Sequence, residues 1–148
     1  MDNLVQFPSK AAPANVIPKI PDGFVFICQD LAKTIQGVHS FWGVMENLLT
    51  EKLPAEVDFQ VVAILFNGAG KVHLHYEIQD GNGKCLEPLP GDAYDMTDTK
   101  YTLAFCVRGF KHEQPGPYRV ALYGRINPTD EPKLIGYYPY GLFMQSVK

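Results

Sequence analysis

The sequence predicts an all-β fold, a two-sheet antiparallel β-sandwich of immunoglobulin-like type at residues 23–148, behind an extended Pro-rich N-terminal arm at 1–22. Three observations carry this. Apolar residues recur in short runs, either continuous or alternating with period two, as strands require. Clusters of Gly, Pro, Asn and Asp separate the runs. No segment has the length and period of an amphipathic helix, and a parallel α/β fold needs crossover connections of about a dozen residues or more.

Each element follows from its residues. Pro8, Pro13, Pro18 and Pro21 favour an extended arm over a helix, and Val16, Ile17 and Ile20 give it apolar anchors. Residues 24–31, FVFICQDL, form a short continuous apolar run that suits a central strand. Residues 37–45, GVHSFWGVM, read as the next strand, with 32–36 as the connecting turn. Residues 47–56, NLLTEKLPAE, have room for one helical turn before Pro54. Residues 58–66, DFQVVAILF, are apolar on both faces. Phe59, Val61, Ala63 and Leu65 are assigned to the core, while Val62, Ile64 and Phe66 point outward with Gln60. After the Asn67–Gly70 turn, Val72 to Gln79 alternates cleanly. Val72, Leu74, Tyr76 and Ile78 face one way and His73, His75, Glu77 and Gln79 the other, as on a strand with one wet face. Asp80-Gly81-Asn82-Gly83 is a hairpin signal, Lys84–Glu87 a short return strand, and 88–99 a loop.

Residues 101–126 read as a strand pair joined by Gln114-Pro115-Gly116-Pro117, whose prolines block a continuous ladder. Tyr101, Leu103, Phe105 and Val107 share one face, and Tyr118, Val120, Leu122, Gly124 and Ile126 another. Asn127 to Pro132 turns the chain into a last stretch at 133–148, one bent strand or two short ones broken at Pro139-Tyr140-Gly141.

Several of these motifs together resemble an uncharacterised bacterial β-sandwich family. Its members open with an apolar strand ending near a Cys-Asp pair, followed by a second strand of the type G-K-x-S-L-x-G-V-F. Phe24 to Asp30 and Gly37 to Val44 match this opening, with Gln29 between Cys28 and Asp30 and Val38 in place of the lysine. The resemblance continues through Pro54-Ala55, 58–66, Gly68 to Gly70, Asp80 to Lys84, and Pro115-Gly116-x-Tyr118. It implies a sandwich and carries over no activity and no catalytic residues.

Composition narrows the function. At 148 residues, 46% hydrophobic and 20% charged, the chain is one globular domain with a sizeable core. A net charge of -3 with scattered Lys and Arg gives no basic face for nucleic acid. No apolar stretch has transmembrane length, and MDNLVQFPSK lacks the pattern of a secretory signal. Cys28, Cys85 and Cys106 cannot all pair within one chain and form no C-x-x-C, so they read as reduced thiols in a cytoplasmic protein.

Four groups of residues bear on chemistry. His73, His75 and Glu77 stand at i, i+2 and i+4 on one strand face, a donor set that suits zinc or iron, although alternation alone accounts for it. The H-x-H spacing is similar to that of cupin barrels, which place their glutamate where Gln79 stands here and need a later histidine, for which His112 is the candidate. Asp92, Asp95 and Asp98 lack the spacing of a calcium loop. Nothing near the cysteines depresses a thiol pKa. Trp42, Tyr137, Tyr138 and Tyr140 are candidates for an aromatic ligand platform. The expected function is a non-enzymatic binding or assembly module without a cofactor. Its partner is a protein or a second copy of the chain, with Val62, Ile64 and Phe66 as the interface of a homodimer. The alternatives are a small-ligand or carbohydrate binder and a metal-dependent enzyme.

Overall fold

The computed structural model describes residues 16–33, 39–97 and 100–146. The strands are β1 (Asp22–Lys33), β2 (His39–Val44), β3 (Asn47–Thr50), β4 (Ala55–Phe66), β5 (Gly70–Asp80), β6 (Cys85–Met96), β7 (Lys100–His112), β8 (Gly116–Arg125) and β9 (Lys133–Met144). They build two sheets, in the orders β2-β1-β4-β7 and β3-β9-β8-β5-β6. The runs β1-β4-β7 and β9-β8-β5-β6 repeat the A-B-E and G-F-C-C′ connectivity of immunoglobulin-type sandwiches. The fold class expected from the sequence is therefore the fold observed, with one departure: β3 pairs with β9 in parallel.

The inner faces carry the alternation read from the sequence. Phe59, Val61, Ala63 and Leu65 of β4 pack in the main core with Leu103 and Phe105 of β7. The second sheet meets them with Val72, Leu74, Tyr76 and Ile78 of β5 and with Tyr118, Val120 and Leu122 of β8. Tyr76 and Phe105 touch edge to face across the sheets, ring centroids 4.8 Å apart. Each large apolar side chain buried here contributes about 1.5–3 kcal/mol.

Three expectations need correction. Residues 47–50 are not a helical turn but strand β3, drawn into register with β9 and turning Leu48 into the core. Residues 88–96 are not a loop, because β6 runs on to Met96 along β5. It is an edge strand, so Pro88 and Pro90 are tolerated, and only Tyr94 and Met96 are buried enough to leave an apolar signature. Residues 101–126 do not form a ladder pair. Strand β7 pairs with β4, β8 pairs with β5 and β9, and the Pro115–Pro117 segment arches between the sheets. The Tyr118 hydroxyl donates to the Gln114 carbonyl at this arch, near the start of β8. That is the tyrosine corner of immunoglobulin-like sandwiches.

Strand β9 is continuous through Pro139, which opposes Arg119 of β8. Strand β3 covers only Gly141–Met144, so Pro139 has a strand on one side alone.

Residues 16–21 of the arm close one end of the sandwich, and its last residue, Asp22, begins β1; residues 1–15 lie outside the described residues. Lys19 and Ala69 exchange backbone hydrogen bonds of 2.8 and 3.1 Å. Pro18 crosses over Gly70, where φ is 66° and an added Cβ would come within 3.1 Å of the Pro18 Cα. Ile20 packs over Gly124 in the same way. The turn expected at 32–36 lies mostly outside the described residues.

Candidate functional site

A concave feature lies where the β5–β6 hairpin meets the β7–β8 arch. The hairpin tip is folded by Asp80, whose Oδ1 accepts from the backbone N–H of Asn82 (2.8 Å) and of Lys84 (3.0 Å). A Cβ at Gly81 would stand 2.5 Å from Pro117 Cγ, so the tip rests directly on the arch. Between them runs a groove of about 620 Å³. Its floor is Phe110, Tyr118, Pro115 and Pro117, with Leu86 as an apolar wall, and its rim carries Asp80, Lys111 and Glu113. Leu86 is 44% exposed, whereas Phe110 and Tyr118 are nearly buried and form a fixed base.

Beneath this end sits His112, wholly buried. Its Nδ1 lies 3.1 Å from the Ala55 carbonyl oxygen, and its Nε2 lies 2.9 Å from the Tyr140 hydroxyl. A carbonyl only accepts, so Nδ1 carries the proton, and Tyr140 donates to Nε2. Phe110, Tyr118 and Tyr140 surround the ring edge to face at 4.7, 4.8 and 5.7 Å. Burial holds the His112 pKa below the ordinary histidine value, and its hydrogen bond to Ala55 opposes the shift. Burial likewise pushes the Tyr140 phenol up, with Tyr118 adding to it. This histidine is a structural tie between the sheets. It stands in the core, on the opposite sheet from His73 and His75, and does not complete a cupin-like set.

The outer face of β5 is a network rather than a simple wet surface. Gln79 is wholly buried, donates to Tyr123 Oη (2.7 Å) and Glu77 Oε1 (3.3 Å), and accepts from Arg119 Nε (2.6 Å). The Arg119 guanidinium lies 4.6 Å over the Tyr137 ring. His75 stacks on Tyr123, and its Nε2 stands 3.7 Å from Glu77 Oε2. Among the described residues no three His, Cys, Asp or Glu side chains are grouped to hold a metal ion. Asp98 lies outside the described residues. Cys85 is exposed at the β6 edge, its thiol pushed up by burial and then by Glu77, the opposite of an activated nucleophile.

The aromatic candidates do not form one platform. Trp42 belongs to β2 in the four-stranded sheet and the tyrosines to β9 in the other; the Trp42 side chain lies outside the described residues. Tyr137 is 50% exposed on the outer face and Tyr140 is buried. Tyr138 and Tyr140 share a hollow of about 420 Å³ with Glu46 and Asn47.

On the outer face of the four-stranded sheet, Val62 is buried within the single chain against Cys28 and Ala104. Phe26, Phe41 and Ile64 pack around this cluster, with Phe26 and Phe41 edge to face at 5.0 Å. Of the outward row, Ile64 and Phe66 retain surface that a partner could meet, and Val62 does not.

The groove residues were not singled out from the sequence. Its two turn motifs were visible, but their meeting depends on β5 lying beside β8, which pairs Asp80 with Tyr118.

No protein-family profile matches the chain, and no curated protein matches it. Solved structures similar to it include the CARDB domain of a Pyrococcus furiosus protein in complex with di-metal ions. That match has 13% identity and a TM-score of 0.42, and covers 84% of this chain and 96% of that one. A β-glucosidase from Listeria innocua is similar at 12% identity and a TM-score of 0.38, over 86% of this chain and 17% of that one. A family 123 glycoside hydrolase from Clostridium perfringens is similar at 11% identity and a TM-score of 0.37, over 82% and 27%.

Proposed function

We propose that the chain is a non-enzymatic binding module that takes an apolar segment of a protein partner in the groove between the β5–β6 hairpin and the β7–β8 arch. The observation that carries this reading is the groove itself: a rigid apolar floor, a partly exposed leucine wall and a rim bearing both signs of charge. Such a surface buries an apolar anchor and orients its flanks by charge. The groove brings together no histidine, cysteine or serine that would act as a nucleophile or base. The carbohydrate reading has less support, because Arg119 already lies over Tyr137 and the Tyr140 hydroxyl is committed to His112. Three free thiols support a reducing, cytoplasmic setting.

Selection of a displayed random-peptide library against the purified protein tests this. Enriched peptides should share an apolar anchor and lose at least about tenfold in affinity, or about 1.4 kcal/mol, for Leu86→Arg. Lys111→Glu should alter the preferred flanking charge. Enriched peptides that bind both variants as they bind the parent would sink the reading.

A further inference from the structure

The β7–β8 arch and the histidine beneath it form one mechanical unit. His112 is the last residue of β7 and anchors the near end of the arch. Tyr118, near the start of β8, anchors the far end. Its hydroxyl donates to the Gln114 carbonyl and accepts from the Gln114 N–H at 3.3 Å. The two anchors meet ring to ring, with centroids 4.8 Å apart and planes at 81°. Phe110 closes on His112 in the same manner, at 4.7 Å and 84°. Phe110 and Tyr118 are also floor residues of the end groove. The groove floor therefore rests on one imidazole.

Both nitrogens of that imidazole are committed in the neutral ring, Nδ1–H to the Ala55 carbonyl and Nε2 to the Tyr140 hydroxyl. A proton added to Nε2 sets a donor against a donor, so the Tyr140 hydroxyl must turn and lose its acceptor. The added charge has no counter-ion. The groups facing the ring are the Ala55 carbonyl from β4, the Tyr118 phenol from β8 and the Tyr140 phenol from β9. Its chain neighbours Lys111 and Glu113 stand on the groove rim, and Glu56, next to Ala55, is turned out beside Gly109. Among the described residues no carboxylate lies within ion-pair distance of His112, which is wholly buried. A buried, unpaired cation is costly, and the cost is relieved when the ring reaches water.

We infer that His112 is a proton-operated latch for the groove: the neutral ring holds Phe110 and Tyr118 as its floor, and protonation releases the arch and dismantles the floor. The inference rests on the reading of the groove as a peptide site. Burial holds the His112 pKa below the ordinary histidine value, with the Ala55 hydrogen bond opposing. The closed arch therefore binds fewer protons than an open one, in which the ring titrates at about 6.5. A bound peptide needs the floor and so favours the neutral ring. Acid weakens binding, and by reciprocity the peptide lowers the His112 pKa further. For one proton the loss of affinity is up to about tenfold per pH unit below about pH 6.5.

Two measurements on the ¹⁵N-labelled full chain test the latch. The first, without peptide, follows the His112 ring nitrogens and the backbone amides from about pH 7.5 to about pH 5, across the ordinary histidine range. Expected is one inflection shared by His112, Phe110, Gln114 and Tyr118, while Val61 and Val72 in the main core stay unmoved. A His112 that titrates with the arch amides silent, or that stays neutral until every amide changes together, would overturn the inference. The second compares the affinity of a peptide selected against the protein at about pH 7.5 and about pH 5.5. The parent should bind more weakly at the lower pH. His112→Gln, whose amide can donate to Ala55 and accept from Tyr140 but takes no proton, should bind alike at both. Equal affinity of the parent at both values would also overturn the latch. A protein that selects no peptide at pH 7.5 fails the binding reading instead, and the first measurement then decides the latch alone, as it does if His112→Gln does not fold.

Discussion

Tyr140→Phe removes one oxygen atom from the interior and should cost about 1–3 kcal/mol. The figure follows from the geometry of the tie between the sheets. Tyr140 is 3% exposed and donates to Nε2 of His112, whose Nδ1–H is held by the Ala55 carbonyl. Phenylalanine keeps the ring contacts to Phe59 and Tyr118 but leaves the Nε2 lone pair buried and unmet. His112→Ala should be worse, at about 3–5 kcal/mol, because it adds a cavity inside the aromatic ring of contacts and strands two polar groups. Equilibrium denaturation in urea, with the midpoint read at unchanged slope, measures both. The same tie makes stability pH-dependent. The folded-state pKa of His112 is lowered, so the unfolded chain binds the proton first. Its contribution is whole above about pH 6.5 and is lost as the pH falls below that, at up to about 1.4 kcal/mol per pH unit for one proton. His75 is shifted in the same direction and adds to the slope. A Tyr140→Phe variant within about 0.5 kcal/mol of the parent, or a parent more stable at pH 5.5 than at pH 7, would refute the reasoning.

Other outcomes follow from the same structure. Tyr118→Phe removes the corner hydrogen bond to Gln114 and should cost about 1–2 kcal/mol in the same assay. Phe105→Ala and Leu122→Ala, both in the main core, should each cost about 2–5 kcal/mol, whereas His75→Ala, on the outer face, should cost about 1 kcal/mol or less. A midpoint order with His75→Ala as the worst of the three would contradict the register. If Ile64 and Phe66 meet a second copy of the chain, light scattering at micromolar concentration should report a dimer that Ile64→Asp dissociates without unfolding. A monomeric parent would dispose of that interface.

The sequence was most legible where one face of a strand is buried and the other is not. The alternation of Val72 to Ile78 and of Tyr101 to Val107 placed the right residues in the core because the side-chain period is two wherever a sheet packs on one side. It was least legible at edges and crossings. Strand β6 hides behind two prolines because an exposed edge needs no apolar pattern, and β3 is too short for its period to show. The β7–β8 arch read as a pair because local turn chemistry does not say whether a chain returns to its own sheet or crosses to the other. The groove was out of reach for the same reason: Leu86 and Pro115 meet only through the strand order. The wet face assigned to β5 was misjudged at Gln79, since a polar side chain that finds Arg119, Tyr123 and Glu77 can be fully buried. Val62 was assigned to an outward face that neighbouring strands partly close with their own side chains.

The most direct test of the binding reading is chemical-shift mapping of the ¹⁵N-labelled protein with a peptide selected against it. The largest shifts should cluster at Leu86, Phe110, Lys111, Gln114 and Tyr118, around the groove. Shifts centred instead on Tyr137 and Tyr138 of β9, or on Ile64 and Phe66 of β4, with the groove silent, would contradict it.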